Sequence, residues 1–594
     1  MPCIQEFLRR AREDRPVYIS DVREAFCREG ERACALLLHL YDATTRRFDL
    51  RLPRFATAEE RAFGESFLHA MLYNCLSSLG ARKIEIYFDP DDGELAEIVA
   101  ALDDVFQVRV PKRERTGYGK CLNVNERTLK ALFGGDVAFA FEARDIAALP
   151  PTNEEAPRTQ GDTPVFAKLP ARAAGRLLMG MDIGGTDVKL AASVDGKLCV
   201  FKEYDWFPAG FGRAEQIIEP LLLLTRLMRA GASCQRALGS IPGEYLPAFS
   251  KEADGGAVRA ACEGMEALLG ERLASFDAIG LCFPDVVIRN RIVGGETHKT
   301  HGMRENTALD YEAEFAKITD LTELLRAYVR KGGAVLNTND GPMAAFTSAV
   351  EQAAAGADLS RGFFAHTLGT ELGTGWILPD GAIPEIPLEV YNFIVDLGSF
   401  CQRAYDPDDA RSILNVNTAL SGTLQKCACQ NGVFRLGAKH LPTRDPQTYA
   451  RLFALGLFAR EGERIYVPTA PADMRKACLE FFMNEAQDPA SACAEIFREV
   501  GESLGVCWKE TQYILQPACE ERTLFGRLVK TEACFRCLTE GARRIVPGLV
   551  QHAADGSLAN TPLMKQLADH PQYTVAQFGQ AVGAIYYGCL GAKG

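Results

Sequence analysis

Apolar residues along the first 150 positions alternate between helical and strand spacing. From Glu59 to Leu79 they follow the 3.6-residue period of a helix. Residues 83–88 then alternate between apolar and polar side chains, which predicts a strand. A second helix is expected over 93–106 and a second strand over 107–110. This β-α-β succession predicts an N-terminal α/β domain over residues 1–150, and no catalytic motif stands out within it.

Prolines and small polar residues dominate residues 151–175, a composition that indicates a linker. Beyond it, a short apolar strand over 177–181 ends at Asp182, and a glycine-rich turn follows. Two more strands are predicted over 190–194 and 197–201, separated by an Asp-Gly hairpin signal. The glycine turn therefore joins two strands, unlike a P-loop, which leads into a helix.

A second glycine-rich turn also follows an apolar run that predicts a strand. Glycine removes the Cβ where a backbone must approach another group closely, and the N–H groups of such turns suit phosphate oxygens. An Asn339-Asp340 pair lies between the two turns, after another apolar run, where it is typical of a helix N-cap. We interpret this combination as a nucleotide site in a phosphotransferase. The two turns are 181–189 (MDIGGTDVK) and 368–375 (LGTELGTG).

Composition narrows the class of protein. The 594 residues exceed one ordinary domain, and 47% hydrophobic with 24% charged residues is typical of a soluble globular protein. No apolar stretch approaches the roughly 20 residues of a membrane helix, and the first residues lack a signal-peptide pattern. A net charge of −12 disfavours a nucleic-acid partner. Because the 19 cysteines are an odd number scattered along the chain, we expect a cytoplasmic protein with reduced thiols. The lack of an apolar stretch of membrane length predicts no membrane partner.

In their order along the chain, these motifs resemble those of the ROK family of sugar kinases, in the actin/hexokinase/Hsp70 ATPase superfamily. The resemblance covers about residues 176–590. Residues 182–186 (DIGGT) are similar to the family's first phosphate motif, and 368–375 to its second. The other matching segments are 279–285 (IGLCFPD), similar to I-G-I-x-x-P-G; 335–345 (VLNTNDGPMAA), similar to E-N-D-x-N-A-A; and 579–584 (GQAVGA), similar to the closing helix.

The resemblance implies a two-lobed, actin-like (ribonuclease H-like) α/β fold that follows the N-terminal α/β domain. Lobe 1 is expected over 176–345 and lobe 2 over 346–594, with C-terminal helices that return to lobe 1. The implied activity is ATP-dependent phosphorylation of a hexose or hexose-derivative hydroxyl in a cleft between the lobes. The implied partners are a small-molecule sugar and a nucleotide, and a homodimer is compatible with the resemblance.

The resemblance also implies roles for individual residues. Asp340 would act as the general base, Asn339 would hydrogen-bond the sugar, and Asp182 would hold Mg²⁺. The residues expected to contact phosphates are Gly184, Gly185, Thr186, Lys189, Gly369, Thr370, Gly373, Thr374 and Gly375.

Several segments depart from the family pattern. Glu371 replaces the third glycine of the second phosphate motif, where a carboxylate could repel a phosphate. Asp396 stands where a sugar-binding Glu is expected, with Glu389 as a rival, and Ser399 stands where a zinc-binding His is expected. Gly526 is the one glycine retained in the adenosine region, and Arg527, which follows it, could stack on the base.

The cysteine pairs give little support for a metal. Cys427 and Cys429 are a fragment of the family's zinc cluster, but a tetrahedral site needs four ligands. Only His366 and His440 are near in sequence, so the pattern disfavours a bound zinc. Cys534 and Cys537 have C-x-x-C spacing without a second pair, which favours ordinary half-buried thiols over a metal or redox role.

Six basic residues follow the segment 279–285. A solvated loop and a contact with an anionic or phosphorylated sugar are both compatible with this stretch. The residues are Arg289, Arg291, His298, Lys299, His301 and Arg304.

Two other functions stay open. A non-catalytic sugar or nucleotide sensor could use the same fold, with the N-terminal domain as its output. An acyl or carboxylate kinase of the same superfamily would give Asn339 and Asp340 different roles. The retained Asp340 favours an enzyme, because a sensor has less need of a base.

Overall fold

Five strands form a mixed sheet in the order β11-β8-β5-β6-β7. Strands β5, β8 and β11 run parallel, while β6 is antiparallel to both β5 and β7. When these five strands are numbered 1 to 5 along the chain, their order in the sheet is 3-2-1-4-5, and strand 2 is antiparallel to its neighbours. This is the arrangement of the ribonuclease H-like fold. A second sheet of four strands has the order β13-β12-β16-β17, which is 2-1-3-4 when its strands are numbered along the chain. The predicted fold class is confirmed by these sheets. The strands are β1 (Arg32–His39), β2 (Thr45–Leu52), β3 (Lys83–Phe88), β4 (Phe141–Asp145), β5 (Leu177–Ile183), β6 (Asp187–Val194), β7 (Lys197–Asp205), β8 (Phe276–Phe283), β9 (Val287–Ile288), β10 (Arg291–Ile292), β11 (Val329–Asn339), β12 (Phe363–Leu368), β13 (Leu372–Ile377), β14 (Ala459–Glu461), β15 (Arg464–Tyr466), β16 (Arg522–Phe525) and β17 (Gln551–Ala553).

Helices connect and cover these sheets in a computed structural model that describes residues 2–135, 137–151, 164–398, 403–471, 473–554 and 558–592. In the described residues, no helix is both long and apolar enough to cross a membrane. The helices are α1 (Pro2–Arg12), α2 (Ile19–Glu29), α3 (Ala58–Ser78), α4 (Gly93–Ala100), α5 (Leu102–Val105), α6 (Lys120–Phe133), α7 (Pro164–Ala173), α8 (Glu215–Leu238), α9 (Gly255–Leu269), α10 (His301–Glu305), α11 (Tyr311–Thr319), α12 (Leu321–Leu325), α13 (Asp340–Ala354), α14 (Leu424–Cys427), α15 (Gln430–Arg444), α16 (Pro446–Ala454), α17 (Met474–Glu485), α18 (Ala492–Ile514), α19 (Glu532–Ile545), α20 (Pro562–Ala568) and α21 (Val575–Gly591).

The chain divides into two compact units. The first unit comprises Met1–Arg158, His366–Thr374 and Ile386–Ala553, and the second comprises Thr159–Ala365, Gly375–Glu385 and Ala554–Gly594. The sequence-based boundaries make residues 1–150 a separate domain. In the structure these residues belong to the same unit as His366–Thr374 and Ile386–Ala553. The C-terminal residues belong to the second unit, which also contains the five-stranded sheet.

Strand β5 reads as a nearly continuous apolar run because both faces of its sheet are covered. Helix α21 lies against this sheet at Gly180 and Gly280, which are partners in the register of β5 and β8. A Cβ at Gly180 would lie 1.8 Å from the carbonyl oxygen of Ala581, and one at Gly280 1.8 Å from that of Ala584. Only glycine permits this approach of helix to sheet. The contact fixes the position of Gln580, which precedes Ala581 on α21.

Strands β1 to β4 form a four-stranded sheet in the order β2-β1-β3-β4. The predicted helix over 59–79 and strand over 83–88 are confirmed. The strand predicted over 107–110 is wrong, and β4 takes the corresponding place beside β3. The guanidinium of Arg115 accounts for the difference, because it donates to the carbonyl oxygens of Gln107, Val108 and Val110. The segment therefore wraps around one cation, although its alternating pattern is typical of a strand.

Part of the predicted linker is also structured. Residues 164–173 form α7, on which Phe166 and Leu169 are buried. The Phe166 ring packs against Phe346 of α13 with 6.0 Å between the ring centroids. The proline-rich composition misled the prediction here, because Pro164 stands at the first helical position, where its missing N–H costs nothing. Residues 152–163 of the predicted linker lie outside the described residues.

Candidate active site

The first glycine turn joins β5 to β6 within the second unit, as predicted. The backbone N–H of Gly184 donates to the carbonyl oxygen of Asp187 at 2.8 Å, which closes the turn. Trp206 makes two hydrogen bonds to this turn. Its indole Nε1 donates to the carbonyl oxygen of Gly184 at 2.9 Å, and its backbone N–H donates to the carbonyl oxygen of Thr186 at 3.1 Å. Sequence reasoning missed Trp206, whose only signal is a lone tryptophan directly after β7.

Lys189 lies near this turn but is already paired. Its Nζ is 2.6 Å from Oδ1 of Asp187, and the Lys189 side chain is 14% exposed. The sequence predicts that Lys189 contacts phosphates. That role stays a prediction, and the ion pair offsets the charge that it would use.

A chain of hydrogen bonds connects Asp182 to the start of α13. The Cys282 thiol donates to Oδ1 of Asp182 at 3.2 Å. The Gln580 side chain donates from Nε2 to the Cys282 sulfur at 3.2 Å and to the carbonyl oxygen of Asp340 at 3.3 Å. The sequence predicted roles for Asp182 and Asp340 but gave no sign that Cys282 and Gln580 join them.

Burial controls the protonation of both groups at the start of this chain. Burial raises the pKa of Asp182 to about 6, and the nearby charges of Asp340 and Asp187 act in the same direction. Burial and the charge of Asp182 raise the pKa of the Cys282 thiol well above its ordinary value. Cys282 therefore stays protonated and able to donate, while Asp182 holds a negative charge at a cost that a bound cation would relieve.

Asn339 and Asp340 lie where β11 ends and α13 begins. Asn339 is the N-cap: its Oδ1 accepts from the backbone N–H of Gly341 at 3.0 Å. Its Nδ2 donates to the carbonyl oxygen of Asp285 at 2.7 Å. Oδ1 of Asp340 also accepts from Gly341, at 2.8 Å. The predicted capping role of Asn339 is confirmed, and its contact with a sugar stays a prediction.

The second glycine turn joins β12 to β13 through residues 369–371, matching the three-residue connection 184–186 between β5 and β6. Within the first unit, the backbone N–H of Gln430 donates to the carbonyl oxygen of Gly369 at 3.0 Å. Oγ1 of Thr374 is 3.1 Å from Nδ1 of the buried His366. The Glu371 side chain is exposed. The phosphate contacts of Gly369, Thr370, Gly373 and Thr374 stay predictions.

Gly375 and Gly526 both allow close backbone approaches. In the second unit, a Cβ at Gly375 would lie 2.6 Å from the carbonyl oxygen of Gly341, in the first turn of α13. In the first unit, Gly526 has φ +94°, and a Cβ there would lie 2.4 Å from the carbonyl oxygen of Leu368. Gly526 therefore lies beside the residue that precedes the second turn. The predicted adenosine segment reaches the second turn, and its contact with adenine stays a prediction.

A cavity of about 450 Å³ lies in the first unit, near the second turn. Gln430 connects the second turn to this cavity. Its backbone N–H donates to Gly369 of the turn, and its side chain donates to the carbonyl oxygen of Arg475, which lines the cavity, at 2.7 Å. The cavity is lined by Pro407, Asp408, Asp409, Ala410, Val416, Lys426, Asn431, Phe434, Arg464, Tyr466, Val467, Thr469 and Arg475. Sequence reasoning missed it, because its residues come from segments up to 68 positions apart.

Two cations of this cavity have no anionic partner in the described part of the chain. Among the residues that the structure describes, Lys426 and Arg475 form no ion pair. Burial lowers the pKa of both side chains, and Arg435 and Arg475 lower that of Lys426 further. The Arg475 guanidinium lies 5.3 Å from the centroid of the Phe434 ring. Such a surface suits an anionic ligand with a flat ring.

The segment expected to bind the sugar is tied to the N-terminal residues of the same unit. Oδ1 of Asp396 accepts from the backbone N–H of Val17 at 2.9 Å. The Asn74 side chain donates to the carbonyl oxygen of Ile394 at 3.1 Å and accepts from its N–H at 2.8 Å. The backbone N–H of Glu389 donates to Ser77, and its Oε1 accepts from Tyr391 at 2.9 Å. Asp396 and Glu389 are thus both buried and hydrogen-bonded within the protein.

The remaining predicted ligand positions are Ser399 and the two cysteine pairs. Ser399 lies outside the described residues. Among those that are described, no group of three or more His, Cys, Asp and Glu residues could hold a metal ion. Cys427 and Cys429 are buried, and Cys429 donates to the carbonyl oxygen of Gln425 at 2.6 Å. Cys534 and Cys537 are buried on α19.

The basic stretch is largely engaged within the second unit. Nε of Arg289 lies 2.6 Å from a carboxylate oxygen of Glu385, and Arg291 forms two hydrogen bonds with Asp320. Arg304 donates to the carbonyl oxygen of Gly295 at 2.6 Å. Lys299 is the one lysine of this stretch, and it has no carboxylate partner among the described residues.

The fold is similar to solved structures of sugar kinases. A ROK family glucokinase from Streptomyces griseus, in complex with glucose and AMPPNP, is 16% identical, with a TM-score of 0.38, covering 69% of this chain and 98% of that chain. A ROK hexokinase from Thermus thermophilus is 15% identical, with a TM-score of 0.36, covering 69% and 97%. A glucokinase from Balamuthia mandrillaris, in complex with glucose, is 11% identical, with a TM-score of 0.36, covering 72% and 98%. No protein-family model and no curated protein matches the sequence. The first two structures belong to the family that the sequence motifs resemble.

Proposed function

We propose that this protein transfers a phosphoryl group from ATP to a hydroxyl of a hexose or hexose derivative, with Asp340 as the general base. The observation that carries the proposal is the convergence of Asp182, Cys282 and Asn339-Asp340 at one edge of the sheet. Asp182 pairs with Cys282 in the register of β5 and β8, and Phe283 with Asn339 in that of β8 and β11. Ligands of open α/β sheets bind at the carboxyl ends of parallel strands.

The chemistry asked of these residues is modest. Phosphoryl transfer depends on positioning and charge neutralisation more than on covalent catalysis. Asp340 would accept the proton of the attacking sugar hydroxyl, and its position is held by the Gly341 N–H and by Gln580. The hydrogen-bonded Asn339 would keep β8 and the start of α13 together while the sugar binds.

The residues present fit a magnesium ion. Asp182 is a hard oxygen ligand whose ionised form is disfavoured by burial and by Asp340, so a divalent cation would stabilise it. Mg²⁺ binds through one or two carboxylates and the substrate phosphates, and needs no larger protein cluster. When bound, the ion would neutralise phosphate charge. Asp182 is the residue that would hold it.

We propose the cavity beside Gln430 as the site of the nucleotide base and its nearest phosphate. Its volume is in the range of ligand sites. Lys426 and Arg475 supply positive charge that no carboxylate among the described residues neutralises, and Phe434 supplies a ring face. Gly526, one of the predicted adenosine residues, lies beside Leu368 at the start of the second turn. The neighbouring sugar kinase from Streptomyces griseus was solved with an ATP analogue.

Asp396 and Asn74 have a positioning role in this proposal. The N-terminal residues hold segment 388–397 through backbone and side-chain hydrogen bonds, and this segment corresponds to the sugar region of the resembling family. An ADP-release assay with Mg-ATP and a panel of sugars tests the activity. Release that depends on a carboxylate acceptor would select the acyl kinase alternative, and ligand binding without release would select the sensor.

A further inference from the structure

Lys299 lies across the first glycine turn, in the second unit. A Cβ added at Gly185 would lie 3.3 Å from Cε of Lys299 and 3.7 Å from its Cγ. The ammonium group reaches the carbonyl oxygen of Pro284 at 3.5 Å, a long contact for a hydrogen bond. The aliphatic stem of Lys299 therefore covers the turn, and its charged end lies beside the end of β8.

The loop that carries Lys299 is anchored by Asp285, which is 3% exposed. Oδ2 of Asp285 accepts from the backbone N–H of Gly295 at 2.6 Å and from Oγ1 of Thr297 at 3.5 Å. A Cβ at Gly294 would lie 1.7 Å from Oδ1 of Asp285, so the glycine makes room for the carboxylate. The carbonyl oxygen of Gly295 accepts from the side chains of Thr300, Arg304 and Tyr311. These contacts fix the loop beside the turn.

The two lysines near the turn differ in whether a carboxylate neutralises their charge. Lys189 is paired with Asp187 at 2.6 Å. Lys299 forms no ion pair in the described part of the chain, and it is half-buried. A lysine ammonium is a compact charge on a flexible stem and binds phosphate as a point charge. Of these two lysines, Lys299 is therefore the one whose charge is available to bind an anion at the first turn.

We propose that Lys299 binds a phosphate group of the substrates at the first glycine turn and neutralises its charge during transfer. This rests on the proposed function. The phosphate is the terminal phosphate of the nucleotide or one already present on the acceptor sugar. Both present the same chemistry to the ammonium group, and the arms of the experiment below distinguish them. Asp285 is a positioning residue in this proposal, because it holds the loop that carries Lys299.

The test compares the wild-type protein with Lys299→Met, which keeps the apolar stem and loses the charge, and Lys299→Arg, which keeps a charge. Lys331→Met, on the exposed part of β11, is the matched control. Binding of fluorescent analogues of ATP and AMP is titrated without an acceptor. The KM for neutral and for phosphorylated hexoses is then measured, and melting temperatures confirm that each variant is folded.

If Lys299 contacts the terminal phosphate of the nucleotide, Lys299→Met should weaken ATP binding by about tenfold or more and change AMP binding little. Lys299→Arg should then recover most of the lost ATP affinity. If Lys299 instead contacts a phosphate on the acceptor sugar, Lys299→Met should raise the KM only for phosphorylated hexoses. Equal behaviour of Lys299→Met and Lys331→Met in all arms overturns the inference and leaves the proposed function intact. A wild-type protein that neither binds ATP nor phosphorylates any sugar overturns both.

Discussion

The thiol of Cys282 donates a hydrogen bond over 3.2 Å to a carboxylate oxygen of Asp182, between two neighbouring parallel strands. Gln580 of α21 continues this contact to Asp340. The expected magnesium ligand and the expected base therefore depend on one chain of hydrogen bonds within the second unit, in which Cys282 is buried. Disturbing the middle of this chain should affect catalysis without touching either carboxylate.

We predict that Cys282→Ala raises the KM for Mg-ATP several-fold and lowers turnover. The substitution leaves the buried Asp182 carboxylate with one donor fewer, a loss of about 1 kcal/mol or more. Steady-state ADP release measures both constants. Cys262→Ala, which removes a buried thiol on α9, is the control. Identical kinetics for the two variants would contradict the role given to Cys282.

The cavity cations predict an unusual pair of effects for Arg475→Met. Affinity for ATP should fall about tenfold, while the ligand-free protein should be as stable as the wild type or more stable, because a half-buried positive charge near Lys426 is removed. Titration with a fluorescent ATP analogue and thermal melting measure the two quantities. Lys476→Met changes the exposed neighbouring residue and should alter neither. Unchanged ATP affinity in Arg475→Met would remove the cavity from the nucleotide site.

Asn74 tests the link between the N-terminal residues and segment 388–397. Asn74→Ala leaves the buried N–H and carbonyl groups of Ile394 unpaired and should lower the free energy of unfolding by about 2 kcal/mol or more. It should also weaken sugar binding. Asn125→Ala removes a comparable buried amide that bonds Ala81, so it should destabilise the protein without this effect on sugar affinity. Equal sugar affinity in both variants would show that the N-terminal residues do not position the sugar segment.

Acid should destabilise the first unit through His366. Burial lowers the pKa of His366 to about 3, and the nearby charge of Arg522 lowers it further. Between the ordinary histidine pKa of 6.5 and pH 3, the unfolded chain binds a proton that the folded protein does not, so stability falls as the pH falls through this window. The contribution lost by pH 5 is about 2 kcal/mol.

His366→Gln should reduce this pH dependence, because glutamine can still donate to Thr374 but does not titrate. Urea midpoints at pH 7 and pH 5 measure the change, and His552→Gln, at an exposed position, is the control. If the midpoint of His366→Gln shifts with pH as much as that of the wild type, another group causes the acid sensitivity.

The local patterns of the chain predicted what depends on neighbouring residues. The strand over 83–88, the hairpin around 184–186 and the cap at Asn339 follow from alternation, turn chemistry and capping preference. The strand predicted over 107–110 failed because Arg115 supplies the hydrogen bonds that a neighbouring strand would otherwise provide.

Contacts between distant segments could not be predicted in this way. Lys299 reaches Gly185 through a loop whose geometry depends on Asp285, and Gln580 reaches Cys282 because Gly180 and Gly280 admit α21. Neither effect leaves a periodic signal. The sugar-binding role of Asp396, expected from its position in a family motif, stays a prediction, and the motif gave no sign that its Oδ1 accepts from the backbone N–H of Val17. A motif fixes the residue type at a position but not the partner that the fold brings to it.

The most direct test of the account is ADP release from Mg-ATP against hexoses, hexosamines and sugar acids, with Asp340→Asn assayed in parallel. The amide keeps the shape of the side chain and loses the base. The account predicts sugar-dependent release by the wild-type protein that falls by a factor of about 10² or more in the variant, with sugar binding largely kept. Equal turnover in the wild type and Asp340→Asn would contradict it.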